Sequence, residues 1–251
     1  MSTEANDTKE FQGKVPKNIE EGPKGLFELK TLEKISFIIV FLFIIVGVGL
    51  SHYDLKKYND WYVREDGLIE WLTVVALLLG CFVSIYRARI LRPFRGLTFQ
   101  LCLFFLAGLF FFGAGEEISW GQRIFEWKSP AFFAFNNSQG ETNLHNLVVG
   151  GVKLNKLIFG LLLGIGVVFY FLILPFLYRK KEGVQRIIDA MAIPIPRWFH
   201  VIAYVTLAIL AEFIAGHKKG EILEFGGCWI FFLMFMEPFN RRIYSRFTLE
   251  R

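Results

Sequence analysis

The chain has 251 residues, 54% of them hydrophobic, with 29 phenylalanines and a mean hydropathy of +0.43. A soluble domain of this length rarely carries so much apolar surface, so the bilayer is the expected solvent. The formal net charge of +5 is modest, and the basic residues are scattered over short loops without interleaved aromatics, which excludes a nucleic-acid-binding stripe.

Residues 1–33 read as a polar, poorly ordered tail, and residues 34–251 as a single transmembrane helical-bundle domain. No early apolar stretch with a small-residue cleavage site is present, so the run from Ile35 is expected to act as an uncleaved anchor. Six spans follow: Ile35–Leu50, Gly67–Tyr86, Leu97–Gly115, Leu157–Tyr178, Phe199–Gly216 and Ile222–Phe239. The first and fifth are short for a hydrocarbon core of about 30 Å, so their ends should extend a turn into the flanking residues. Backbone polar groups cannot stay open in lipid, and the runs are continuous, so the expected fold is all-α and polytopic, with no β-barrel. Gly160 and Gly164 form a small-xxx-small pair, read as ordinary packing within the bundle. Cys81, Cys102 and Cys228 each lie in an apolar run and are odd in number, which argues against a disulfide framework.

Lys and Arg fall about two to one on the side of the tail, Arg87–Arg95, Arg179–Arg197 and Arg241–Arg251. That bias predicts both termini in the cytoplasm. The 116–156 connection is then extracytoplasmic. It is too long for a plain link, and its Trp120, Phe125 and Trp127 give it interfacial character. One or two short helices are expected in it, the first starting at Ser129-Pro130 with proline in the first helical position.

Ionisable groups gather at the outer ends of the spans. Glu116 and Glu117 end the third span, where the helix dipole disfavours them. Glu212 lies about one turn inside the fifth, and Glu70 and Glu224 lie at helix starts, where the dipole alone would explain them. Glu65 and Asp66 read as solvated, and His200 falls at the inner end, away from the site. The loop adds Glu141 and His145, four apart and on one face if that segment is helical. Several carboxylates and an imidazole at one mouth suit a divalent metal. The expected metal set is Glu116, Glu117, Glu141, His145 and Glu212. Glu116, Glu117 and His145 are the candidates for acid–base work on a metal-bound water. Arg123 would either pair with a Glu or clamp an anionic headgroup, and Asn143 and Asn146 would hydrogen-bond the ligand or the imidazole. Ser119 is a weaker nucleophile candidate, because no Gly-x-Ser-x-Gly elbow surrounds it.

The strings Arg64-Glu-Asp-Gly-Leu-Ile-Glu70, Gly115-Glu-Glu-Ile-Ser-Trp-Gly-Gln-Arg123 and Gln139-Gly-Glu-Thr-Asn-Leu-His-Asn146 resemble those of a bacterial multi-pass integral membrane protein family of uncharacterised activity. That resemblance covers roughly residues 60–240 and implies topology rather than chemistry. A polar outer site also has a distant similarity to the membrane hydrolases that include alkaline ceramidases. Those use a Ser, an Asp and three His, two of them in a late His-x-x-x-His, where this chain carries Glu212, His217 and Glu224.

Three functions are expected to compete. The first is a metal-assisted hydrolase or transferase acting on a lipid or lipid-linked substrate. The second is a proton or cation carrier with Glu212 and Glu70 as its relay. The third is a non-catalytic assembly subunit whose acidic mouth docks a periplasmic or membrane protein partner. Membrane lipids are expected neighbours in every case.

Overall fold

In lipid, each apolar run satisfies its own backbone by closing into a helix. A computed structural model describes residues 30–154, 160 and 162–245. Its helices are Thr31–Tyr53 (α1), Leu68–Leu91 (α2), Leu97–Glu117 (α3), Ala131–Asn136 (α4), Leu163–Lys180 (α5), Glu182–Ala190 (α6), Trp198–Glu212 (α7) and Lys219–Met236 (α8). Among the described residues the fold is all-α apart from a short hairpin, Val148–Val149 against Val152–Lys153. α5 opens into a wide turn at Phe169–Ile173, just before Pro175. Proline has no N–H to offer and crowds the carbonyl one turn back, so the turn widens there.

Among the described residues, α1, α2, α3 and α5 are long and apolar enough to cross a bilayer, with mean hydropathies of 2.5, 2.3, 2.0 and 1.5. α1 extends beyond Ile35–Leu50 at both ends, as expected for a span of about 30 Å. α7 has 15 residues, and α8 opens with Lys219, Glu221 and Glu224, so neither meets that standard by length and composition. The tail before Lys30 and the start of the fourth predicted span lie outside the described residues.

The bundle is built around α8. Its Ile222, Phe225, Ile230, Leu233, Met234 and Phe235 are buried, and it packs against α1, α2 and α7. α5 joins through Tyr170 against Phe231 and through Phe171 stacked on Tyr204 of α7, 4.7 Å between ring centroids. The outward faces of α1 and α3 carry exposed Ile38, Leu42, Ile45, Phe104, Phe105 and Phe111. Large apolar side chains on the outside suit a lipid solvent and not water. Among the described residues nothing lies within 4 Å of where a Cβ on Gly164 would sit, so the packing expected of the Gly160/Gly164 pair is not found at Gly164.

α2 and α3 approach closely because Gly80 has no side chain. A Cβ there would sit 2.8 Å from the Phe110 ring, which is itself held against Phe231 and Phe235. Gly80→Val is therefore expected to lower stability by about 1–3 kcal/mol, the usual cost of overpacking. Thermal unfolding in detergent would measure it, and an unchanged midpoint would mean the two helices part freely.

At the end opposite the acidic pocket, Glu33 of α1 is buried with Arg197 and His200 at the start of α7. Glu33 Oε2 lies 3.5 Å from Arg197 Nη2, and Oε1 lies 3.4 Å from His200 Nε2. Lys30 pairs with Glu237, and Arg87 donates to the carbonyls of Phe235 (2.7 Å) and Met236 (3.0 Å). These contacts gather the start of α1 and the ends of α2 and α8 at one end. α6 rests nearby with Ile188 buried and Ile187 exposed.

Candidate functional site

The site begins with a reversal of the chain after α3. Ser119 and Trp120 both adopt left-handed backbone, at φ 47° and 56°. That conformation costs a non-glycine residue about 1 kcal/mol or more, so the surroundings must hold it. They do so through Trp120, which folds back along α3. Its Nε1–H donates to Glu116 Oε1 at 3.0 Å, and its ring lies over Gly115 and beside Phe111 and Phe112. A Cβ on Gly115 would come within 2.9 Å of that ring.

The other oxygen of Glu116 accepts the backbone N–H groups of Leu144 (2.6 Å) and His145 (3.1 Å). Glu116 is therefore a buried bracket between α3 and the loop, with both oxygens engaged. Glu116→Gln would set an amide NH₂ against one of these donors. We expect a loss of about 1–3 kcal/mol whether or not a metal is present. Unfolding with and without chelator would check this; a loss seen only without chelator would make Glu116 a ligand instead.

Residues 139–146 are not helical, contrary to the condition that would have aligned Glu141 with His145. A bridge between Asn137 and Leu147 closes them into a loop. Asn137 Oδ1 accepts the N–H groups of Gln139 (2.9 Å) and Glu141 (3.2 Å), and its Nδ2 donates to Asn143 Oδ1 (2.9 Å). Asn143 also accepts from Asn146 N (3.0 Å) and donates to Ser119 Oγ (2.8 Å). Both ends of its amide are used by protein, so Asn143 organises the loop and is not free for a ligand. Ser119 is fully buried and donates to Glu141 Oε2 at 2.6 Å, a clasp between α3 and the loop and not an accessible nucleophile. Asn146 donates to Gln139 Oε1 at 2.6 Å on the rim.

Arg123 is the hub. Its Nε lies 2.7 Å from Asp66 Oδ2, its Nη1 2.7 Å from Glu141 Oε1 and 3.7 Å from Glu65 Oε2, and its Nη2 3.1 Å from Glu70 Oε1. Burial opposes its charge, but Glu141, Asp66, Glu70 and Glu65 together raise its pKa above the ordinary value. Of the two roles expected for this fork, the structure shows pairing with Glu, and these carboxylates take up the donors that a headgroup would need. Glu65 and Asp66, read as solvated, are two of its partners. Glu70 also accepts Asp66 N at 2.7 Å, so its place at the start of α2 serves the turn as well as the site.

What remains opens on a cavity of about 70 Å³. α2 supplies Glu70, α3 supplies Glu116 and Glu117, and α8 supplies Glu221 and Glu224. Glu65, Arg123, Gln139, Glu141, Asn143, His145 and Asn146 complete the walls. The structure thus brings together the expected Glu116, Glu117, Glu141, His145, Arg123, Asn143 and Asn146. Glu212 is the exception. It ends α7 with its side chain 68% exposed and pairs with Lys219 at 2.8 Å, since the helix rotation turns it away from the pocket and a cation is close by. It belongs to neither the cluster nor a buried relay. His217 is exposed and lies outside the pocket.

Sequence reasoning missed Glu221. The signal was the spacing Glu221-x-x-Glu224, which puts two carboxylates on one face in the first turns of an apolar helix. Among the described residues, Glu117, Glu221 and Glu224 accept no hydrogen bond. Glu117 and Glu224 lie within electrostatic reach of each other and of Glu70 and Glu221. Among the described residues, no three His, Cys, Asp or Glu side chains are already closed around one point as a metal cage.

Burial lowers the pKa of His145, and nearby Glu116 only partly opposes this. The fold thus favours the neutral ring. As pH falls below its ordinary value of 6.5, the unfolded chain takes the proton more readily and stability declines. No family model, curated protein or solved structure matches this chain.

Proposed function

We propose that this chain is a six-span integral membrane protein of a bacterial cytoplasmic membrane, with both termini cytoplasmic, whose extracytoplasmic pocket binds a hard divalent cation. Its task on this reading is metal-assisted hydrolysis or group transfer on a lipid or lipid-linked substrate. One observation carries it. Glu70, Glu117, Glu221 and Glu224 converge from three helices on one cavity, and only Glu70 forms an ion pair among the described residues. Carboxylates so placed repel one another unless protons or a cation intervene. An oxygen-rich donor set suits magnesium, calcium or manganese better than zinc.

The ligands on this reading differ from those expected from sequence. Glu117, Glu221 and Glu224 would swing onto the ion, with Glu70 at their side, while Glu116 and Glu141 hold the loop. The cation would lower the pKa of a bound water and polarise the substrate oxygen. With Arg123 engaged, an anionic substrate group would be met by the cation itself. The six-span topology draws on the basic clusters at Arg87–Arg95, Arg179–Lys181 and Arg241–Arg242, and on the contacts that gather Lys30, Arg87 and Glu237 at one end. The carrier reading has less support. Glu212 stands outside the pocket, and beyond Glu224 the bundle is filled by Phe225, Ile44, Leu207 and Ile230.

Elemental analysis of the purified protein, with unfolding midpoints measured against magnesium, calcium, manganese and zinc, tests the proposal. A saturable rise with an oxygen-preferring ion, absent in Glu224→Gln, is expected. No bound metal and no shift with any ion would overturn it in favour of an assembly role.

A further inference from the structure

The structure carries a second feature, independent of the cation. Before and within α4, large apolar side chains are exposed: Phe125 at 76%, Phe135 at 87%, and Ile124 and Phe132 with them. A patch of this kind needs an occupant. The geometry points to the bilayer itself: this segment is a foot seated in the leaflet on the pocket side, pressing its aromatic face among the lipid headgroups and upper acyl chains.

Continuity identifies the occupant. Phe104, Phe105 and Phe111 mark the outward face of α3, one of the helices apolar enough to cross the membrane. At its end Trp120 lies against Phe111 and Phe112, with ring centroids 6.2 and 5.7 Å apart. Ile124 and Phe125 follow Trp120 within a turn of chain and are both exposed, so on this reading the apolar surface of α3 continues into the foot. Trp120 is the aromatic type favoured at a membrane–water boundary, and Lys128, between Phe125 and α4 in sequence, is exposed, a cation of the kind that meets lipid phosphates.

The foot also sets the level of the pocket. Ser129, just ahead of α4, donates to the carbonyl of Gly140 at 2.6 Å, and Thr142 donates to Ser129 Oγ at 3.1 Å. Anchoring the aromatic face therefore holds the loop with Glu141 and His145 against the membrane surface. Small hydrophilic solutes and lipid headgroups would reach it from the same layer.

The test uses the full chain with its three native cysteines changed to alanine, reconstituted in phosphatidylcholine vesicles at about one protein per vesicle, a dilution that disfavours contacts between copies. An environment-sensitive nitrobenzoxadiazole probe is placed in turn at Phe125→Cys, Phe135→Cys and, as a water-facing control, Ser138→Cys. Probes at 125 and 135 should emit to the blue of the probe at 138. They should be quenched by nitroxide-labelled phosphatidylcholine more than by aqueous iodide, with the reverse at 138. Iodide quenching at 125 and 135 equal to that at 138 would overturn the inference. So would a blue shift that appears only when protein density is raised, since it would assign the face to a second copy. None of these readouts depends on metal binding, so failure here and failure of the cation reading are separable.

Discussion

Arg123→Ala should be the most damaging single change in the loop, with a loss of about 3 kcal/mol or more. The physical reason is what stays behind. Glu70 and Glu141 are only 8% and 12% exposed, and Arg123 is the ion-pair partner of both. Removing one member of a buried pair leaves the other charge without compensation, which costs more than the pair contributes when intact. The contacts to Glu65 and Asp66 are more open to solvent and add little. Arg123→Lys should recover only part of the loss, because an ammonium cannot reach three directions with one rigid fork. The double variant Arg123→Ala/Glu70→Gln should be more stable than Arg123→Ala alone, since the charge left unpaired is removed with it. Unfolding in detergent at neutral pH reads all three. A midpoint for Arg123→Ala equal to that of the wild type would show that Glu70 and Glu141 are hydrated and the hub is ornamental.

Glu224→Gln should change sign with the conditions. In chelator at low salt it removes one of four mutually repelling carboxylates, so the variant should melt above the wild type. With saturating divalent cation the order should invert. A ligand at a hundred times its dissociation constant stabilises the folded state by about 2.7 kcal/mol, and the variant forgoes most of that. Glu221→Gln should behave alike, because Glu221 and Glu224 share one face of α8. Glu212→Gln should show no inversion, since that side chain is exposed and paired with Lys219. A wild type and Glu224→Gln that respond identically to every ion would remove the case for a cation in this pocket.

The spans were legible because a bilayer imposes a simple rule: apolar runs of sufficient length close into helices. α1, α2 and α3 begin or end within a few residues of where hydropathy places them. The cluster was half legible. Carboxylates are expensive beside hydrocarbon, so Glu116, Glu117, Glu141 and His145 drew attention by composition alone. Their roles were not legible, because a role depends on what faces each oxygen. Glu116 spends both on Leu144, His145 and Trp120, and Arg123 spends its fork on four carboxylates.

Two errors have one cause. Glu212 was assigned to the pocket and Glu221 was passed over, although both lie close to the same turn between α7 and α8. Depth in the membrane can be counted along a sequence, but rotation about the helix axis relative to a neighbour cannot. α7 turns Glu212 outward to Lys219, while α8 packs so that Glu221 and Glu224 face Glu70 and Glu117. Whether residues 141–145 are helical is equally beyond the reach of spacing alone. The spacing of Glu141 and His145 suits a helix, yet Asn137 and Asn143 offer the backbone local partners that stabilise an irregular turn.

By itself the sequence determined a helical chain with apolar spans and an acidic concentration beside them, because burial of hydrocarbon and the cost of charge are properties of residue type and run length. Only the tertiary structure decided which carboxylates are bound to protein and which open on the cavity. That division is set by helix rotation and by a left-handed reversal at Ser119 and Trp120, and it follows from the placement of residues more than fifty positions apart, such as Arg123 bonded to Glu70 and Glu117 within electrostatic reach of Glu224.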